Sequence, residues 1–404
     1  MAPSSTTGAG TLYQYINCRI LRGGKIFRED LWVRNGKIMN PEPLFFDEKV
    51  IADVRIDCHN LIISPGLIEV QLNGGFGYDF STDVDIEKGI SKVAKEVLAF
   101  GITSFCPTVI TSSPTLYHKV LPLIKKCEGS SKGAGVLGVH IEGPFINKER
   151  KGCHPVQLIQ DFDNGFSDIL DVYGDLSNVT LVTLAPEKKN ALEVIEEFCK
   201  RGITVSVGHS SANLVEGEAA VRSGARFITH LFNAMLPFHH RDPHLVGLLT
   251  SDKLPQNRKV FYGLISDCIH THPAALRIAH RVNPDGIVLV SDAIGAMGLP
   301  DGTYQLGEQT VEVQGYEVYI KDTNILAGGT ATLDYCVRCF AKETGCGPVL
   351  ALEAASLHPA QLLGIDDRKG TLNFGADADF IFLDDGLNVK ATYIAGECVY
   401  TSST

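Results

Sequence analysis

Val136-Leu-Gly-Val-His-Ile-Glu142 runs directly into Gly143-Pro-Phe145. The run is apolar until its end, where His140 and Glu142 carry titratable groups. Near-continuous apolar runs of this length mark parallel strands covered by helices on both faces. The same theme recurs to either side. Before it come Gly66-Leu-Ile-Glu-Val-Gln-Leu72 and Gly101-Ile-Thr-Ser-Phe-Cys106. After it come Val179-Thr-Leu-Val-Thr-Leu184, Thr204-Val-Ser-Val-Gly-His209, Phe227-Ile-Thr-His230, Val260-Phe-Tyr-Gly-Leu-Ile265 and Ile287-Val-Leu-Val-Ser-Asp292. Helical stretches separate them, among them Ile86 to Phe100, Pro114 to Cys127, Asn190 to Arg201 and Asn213 to Ser223. Several of these close on Gly101, Gly202 or Gly224 just before the next strand. Eight strand–helix units over about 230 residues predict an α/β chain folded as a (β/α)8 TIM-like barrel rather than an open doubly wound sheet. Neither GxGxxG nor GxxxxGK[ST] follows the first strand, which argues against a dinucleotide or P-loop enzyme.

The flanks read differently. Tyr13 to Leu21, a Gly23-Gly24 turn, and Leu31-Trp-Val-Arg-Asn-Gly-Lys-Ile38 with its Asn35-Gly36 hairpin signal are β-rich. Phe380 to Leu383, Val389 to Ala395 and Gly396 to Tyr400 match them at the other end. Neither flank is large enough to bury a core alone. The expectation is a small β-sandwich built from residues 1–63 and 365–404, beside a catalytic barrel of residues 64–364. A further hairpin is expected over 302–327, and helices over 331–343 and 348–364.

Composition bounds the function. The 404 residues are 44% hydrophobic and 21% charged, an ordinary globular balance, with 36 Lys+Arg against 47 Asp+Glu and a net charge of −11. An acidic chain is a poor partner for nucleic acid or anionic membrane, both of which need clustered basic surface. No apolar stretch reaches the roughly 18 residues of a membrane span, and the first ten residues lack a signal-peptide pattern. The 11 cysteines form no paired metal motif; the single CxxC, Cys336 to Cys339, falls in an expected helix. Reduced thiols in a cytoplasmic protein are the expectation.

In a barrel, catalytic groups stand at the C-terminal ends of strands. Five of the eight runs end on polar, ionisable groups: His140 and Glu142, His209, His230, Asp267 with His270, and Asp292. A carboxylate with two imidazoles, Glu142, His209 and His230, suits Zn²⁺ or a similar divalent ion with one position left open to water. Asp292, from another strand, is then free to act as general base. The competing reading of these groups is a structural hydrogen-bond network.

Taken together, His140-Ile-Glu-Gly-Pro-Phe145, Lys151-Gly-Cys-His154, Gly208-His-Ser210, Thr229-His-Leu-Phe-Asn-Ala-Met235, Asp267-Cys-Ile-His270, Ser291-Asp-Ala293 and Leu326-Ala-Gly-Gly-Thr330 resemble the N-acetylglucosamine-6-phosphate deacetylase family of the amidohydrolase superfamily. The resemblance runs in order from about residue 11 to 400. It implies Glu142, His209 and His230 as metal ligands. It implies Asp292 as the aspartate that takes a proton from the attacking water and returns it to the departing amine, and His154 as a catalytic and substrate-binding histidine that holds and polarises the acetamido carbonyl. It implies Asn233, Ala234, His270 and Arg241 as receivers of the sugar phosphate, with Arg241 reaching across a homodimer interface. Guanidinium, imidazole and backbone N–H donors suit a phosphate dianion.

One departure bears on the metal. Many members of the superfamily carry His-x-His at the end of strand one, whereas this chain has Gln71-Leu-Asn73. Amides are poor zinc ligands beside imidazole and carboxylate, so one divalent ion per chain is expected, zinc first, with Co²⁺ or Fe²⁺ accepted by similar geometry. Gln71 and Asn73 also speak against a cyclic-amide hydrolase or dipeptidase, and the presence of Glu142, both histidines and Asp292 speaks against a barrel that has become a non-catalytic scaffold. His140 is open to two readings, a support for the ligands or a packed core histidine. The expected reaction is metal-dependent removal of acetate from N-acetylglucosamine 6-phosphate, giving glucosamine 6-phosphate.

Overall fold

A computed structural model describes residues 10–82, 84–256, 258–306, 309–323 and 326–402. Eight strands form the barrel wall: β1 Leu67–Leu72, β2 Ile102–Ile110, β3 Val139–Glu142, β4 Val179–Leu184, β5 Thr204–Val207, β6 Phe227–Ile228, β7 Phe261–Ile265 and β8 Ile287–Val290. Each pairs in parallel with the next. Every residue of β1, β3, β7 and β8 is buried, as the unbroken apolar runs require of strands covered on both sides. Ile68, Val70, Leu181, Phe227, Phe261 and Val288 share one apolar cluster. Because the cluster includes residues of β1, β4 and β6, which are not neighbours, it spans the barrel.

The last seam, between β8 and β1, closes in two parts. Towards the N-terminal ends, the chain around Ala354-Ala355 lies between the strands, taking hydrogen bonds from Leu289 N and Ile68 N at 2.8 Å each. At the C-terminal mouth the strands meet directly: Asp292 N donates to Gln71 O at 3.0 Å and Asn73 N to Ala293 O at 2.8 Å. The barrel is therefore nearly closed, and it is tied shut where its polar residues gather.

Two local departures from the sequence expectation have clear causes. The helix expected to reach Cys127 ends at Val120, because Pro122 has no N–H to give to the carbonyl one turn earlier. The run from Val136 is split into Gly135–Val136 and Val139–Glu142 by Gly138 at φ +123°, where a Cβ would lie 2.1 Å from Thr180 Oγ1. Over the 302–327 region the chain forms a four-stranded antiparallel sheet ending in Leu326–Gly329. Residues 307, 308, 324 and 325 of that expected hairpin lie outside the described residues.

Both chain ends build the accompanying sandwich. Its four-stranded sheet uses Leu12–Ile16, Leu31–Arg34, Lys37–Ile38 and Val54–Asp57. Its six-stranded sheet sets Ile62–Pro65 antiparallel to Phe380–Leu383. Tyr15 packs edge-on against Phe380, Phe382 and Tyr393, with centroids 5.2, 6.0 and 5.7 Å away. Close by, Lys369 is only 4% exposed and its ammonium is held by Asp379 at 2.8 Å, Asp377 at 3.0 Å and Glu128 at 3.3 Å. Glu128 follows the second barrel strand, so this ion cluster joins the sandwich to the barrel.

Removing the one buried cation of that cluster leaves Asp379 uncompensated. Lys369→Met is expected to lower stability by about 3–5 kcal/mol, measured by equilibrium urea denaturation; a loss below about 1 kcal/mol, the range of an exposed pair, would contradict this.

Candidate active site

The barrel places its ionisable groups by a repeated local device. Glu142 is the last residue of β3. His209, His230 and Asp292 each lie two residues past the ends of β5, β6 and β8, and each adopts a left-handed backbone, with φ of +47°, +30° and +49°. Such a conformation in a non-glycine residue costs of order 1–3 kcal/mol. Three of them at one barrel mouth mark a place where chain geometry serves something other than stability.

The turns converge three donor atoms. His209 Nε2 and His230 Nε2 lie 3.2 and 3.1 Å from Glu142 Oε1, and 3.0 Å from each other. All three residues are buried. Nitrogen and oxygen ligands about 2.0–2.1 Å from a tetrahedral ion sit about 3.3 Å apart, so the donor set fits one small divalent cation. The His209 tautomer agrees: its Nδ1 donates to Arg150 O at 2.8 Å, which leaves the Nε2 lone pair facing the cluster. Electrostatics also call for positive charge here. Burial would raise the Glu142 pKa, yet its bonds to His209 and His230 hold it well below the carboxylate range. Burial would lower that of His230, yet Glu142 raises it.

The two amides of β1's end each bond a carboxylate of the site. Gln71 Nε2 donates to Glu142 Oε1 at 3.0 Å, and Asn73 Nδ2 donates to Asp292 Oδ1 at 2.7 Å. Burial, then the negative charge of Glu142, push the Asp292 carboxyl up to about 7, the range in which one group can both take and return a proton near neutral pH. His140 belongs to the packed layer beneath: Nδ1 bonds Val70 O at 3.0 Å and Nε2 bonds Thr183 Oγ1 at 2.8 Å, so its hydrogen-bonding capacity is spent there.

His154 hangs over the cluster from the loop after β3. Burial first, then His209, lower its pKa to about 3, so the ring is neutral. Its Nδ1 lies 2.7 Å from Thr111 Oγ1 and accepts from Thr111 N at 3.4 Å. The proton is thereby assigned to Nε2, which faces Glu142 Oε2 at 4.0 Å. Across the mouth, His270 Nδ1 lies 2.6 Å from the fully buried carboxylate of Asp267, whose other oxygen accepts Ile269 N and His270 N. Burial works against charge on His270, but Asp267 outweighs it and the pKa is raised. The small residue at Gly329 makes room for this ring: a Cβ there would stand 3.1 Å from His270 Cε1.

Glu142, His154, His209, His230, Asn233, Ala234, His270 and Asp292 all line one cavity of about 760 Å³, whose wall also includes Leu326, Ala327 and Gly328. Arg241 does not line it. That side chain is exposed, with Nε 3.3 Å from His240 Nε2. Thr111 and Asp267 support the site without a role expected from sequence. Asp267 stands three residues before His270, and a carboxylate at that spacing in a turn is a usable signal for a supported imidazole. Thr111, 43 residues from His154, leaves no such trace.

The sequence pattern of the amidohydrolase family matches residues 62–399. The chain is 58% identical over 402 residues to N-acetylglucosamine-6-phosphate deacetylase of Danio rerio, covering 99% of this chain and 100% of that one. It is 59% identical over 389 residues to the human enzyme of the same name, covering 96% and 95%. Among solved structures, the N-acetylglucosamine-6-phosphate deacetylase of Pasteurella multocida superposes with a TM-score of 0.84 at 27% identity, over 97% of this chain and all of that one. The chain belongs to the amidohydrolase family, and within it to the N-acetylglucosamine-6-phosphate deacetylases. It is an enzyme.

The donor geometry makes a direct prediction about ion binding. Wild-type protein dialysed against Zn²⁺ is expected to retain one tightly held ion per chain, and His209→Ala none, by elemental analysis. Two retained ions in the wild type, or an unchanged content in the variant, would contradict the assignment.

Proposed function

We propose that this enzyme hydrolyses the acetamido group of N-acetylglucosamine 6-phosphate to acetate and glucosamine 6-phosphate, using one divalent ion held by Glu142, His209 and His230. The observation that carries the reading is the meeting of that donor set with Asp292 in one cavity. Full-length identity to enzymes of this name supports the substrate. Zinc suits the ligands first, and Co²⁺ or Fe²⁺ second. A bound ion supplies Lewis acidity and brings the pKa of water near neutrality.

The residues divide the remaining work. Asp292 accepts a proton as water adds to the carbonyl carbon, then delivers it to the nitrogen as the C–N bond breaks. His154, neutral and carrying its proton on Nε2, donates to the carbonyl oxygen as negative charge develops there. Gln71 and Asn73 keep the two carboxylates oriented. At the far side, His270, whose pKa Asp267 raises, meets the phosphate together with the Asn233–Ala234 turn.

An acidic chain repels a dianion at long range, so its selectivity must come from local donors. Arg241 is an apt donor, because guanidinium can grip phosphate with two parallel bonds, yet it lies outside the cavity of its own chain. The proposed arrangement is a homodimer in which Arg241 completes the site of the other protomer. Phe238 and Val215, each 64% exposed, offer apolar surface on the Arg241 loop and on the helix whose first N–H bonds Asp242. Residues 64–364 are taken as the catalytic unit, beside a sandwich of residues 1–63 and 365–404. The free state of all the cysteines supports a reducing, cytoplasmic setting. No helix among the described residues is long and apolar enough to cross a membrane.

Asp292→Asn preserves shape and removes proton-accepting capacity, so kcat should fall by roughly 10²–10⁴-fold while ion content stays at the wild-type level; retained activity or a lost ion would overturn the role. The dimer reading has its own check. Arg241→Ala should impair kcat/KM for the phosphorylated sugar far more than for N-acetylglucosamine. After subunit exchange, mixing it with Asp292→Asn chains should recover activity, because one site of each heterodimer is complete. No recovery would contradict donation in trans, and equal losses on both sugars would contradict the phosphate role.

A further inference from the structure

We propose that Glu69 is a positioning residue for the reaction, holding Asp292 through the backbone of Ser291. This inference rests on the reading of Asp292 as the group that moves the proton.

Glu69 sits in the middle of β1 and is fully buried. Its Oε1 accepts Gln71 N at 3.1 Å and its Oε2 accepts Ser291 N at 3.0 Å. Those two N–H groups lie on opposite sides of the β8–β1 seam. Below this level the seam is filled by Ala354-Ala355; above it, Asp292 N reaches Gln71 O and Asn73 N reaches Ala293 O. The carboxyl thus replaces a rung of the parallel ladder with a side chain at the point where the two strands come together. Both residues it clasps lead into the site. Ser291 is the residue before Asp292, and Gln71 donates its side-chain amide to Glu142.

Asp292 needs such a clasp. Its φ of +49° is a conformation that a non-glycine residue keeps only where neighbours over-determine it. Three constraints surround it: the Asp292 N to Gln71 O bond, the Asn73 side chain on Oδ1, and the Glu69 grip on the preceding amide. Burial by itself opposes a carboxyl here. Burial pushes it up to about 8 against the pull of the Ser291 side chain and of its two N–H partners, and an apolar side chain in the same volume avoids that desolvation. What an apolar residue cannot do is hold two backbone amides of different strands in a fixed relation.

Glu69→Gln isolates the effect. The side chain keeps its volume, but one acceptor oxygen becomes an NH₂ that meets a backbone N–H donor to donor. Displacements of about 1 Å near a reacting group cost up to about 10²-fold in rate. With N-acetylglucosamine 6-phosphate as substrate, kcat should therefore fall by about 10- to 100-fold, with KM and ion content unchanged. Glu69→Asp, which restores two acceptor oxygens on a shorter stem, should recover part of the loss, and serves as the reporting variant should the glutamine chain not fold. Residues that act as a unit are not additive, so Glu69→Gln/Asp292→Asn should be no slower than Asp292→Asn alone. Wild-type kcat in Glu69→Gln, a loss that multiplies in the double variant, or loss of the ion would each overturn the proposal. A slow Glu69→Gln beside a fully active Asp292→Asn would instead remove the reading of Asp292 on which the proposal stands.

Discussion

Much of the molecule is arranged around one buried carboxylate. Glu142 is 2% exposed, and a carboxylate taken out of water must be matched by positive charge or by strong donors. Three side chains meet its Oε1: Gln71, His209 and His230, each from a different strand end. Two of those strand ends turn through left-handed backbone to reach it. The apolar cluster across the barrel sets the floor on which this happens, and the helices outside hold the strands in parallel. The carboxylate is low in pKa because imidazoles face it, and His230 is high because the carboxylate faces it. A site that pulls its own groups towards opposite charge is one prepared for a cation.

The rest of the mouth extends the same logic outward. Four of the groups that line the cavity are themselves oriented by a partner: His154 by Thr111, Asp292 by Asn73, His270 by Asp267 and His209 by the Arg150 carbonyl. The pKa shifts separate the roles, with His154 held neutral, His270 favoured as the cation, and Asp292 moved towards neutrality. Perturbations of differing sign within one cavity are the signature of groups tuned for different tasks. The Gly328–Gly329 segment closes the wall beside His270 without filling it.

The barrel was legible in the sequence because helices on both faces leave parallel strands no polar position until they end. The same rule exposed the candidate site, since His140, Glu142, His209, His230 and Asp292 are where the apolar runs stop. Other features leave no pattern of that kind. Ala354-Ala355 lies in the β8–β1 seam, and no periodicity in a short apolar segment says which strands it will separate. Glu69 interrupts an apolar run and reads in sequence as an ordinary polar position, because its partners are backbone amides 2 and 222 residues away. Arg241 could be read as a phosphate donor only through family resemblance, as a single exposed arginine in a loop has no periodic or charge signature. The early end of the helix at Val120 was legible after all, in Pro122, once the loss of its N–H is weighed against the apolar spacing that continues past it.

The central claim is that three side chains from three strand ends hold one ion on which amide hydrolysis depends. Acetate release from N-acetylglucosamine 6-phosphate, measured on chelator-stripped enzyme during stepwise return of Zn²⁺, tests it most directly. The account predicts negligible release from the stripped enzyme and a linear recovery that breaks at one ion per chain. Full activity without added metal, or a break at two ions per chain, would contradict it.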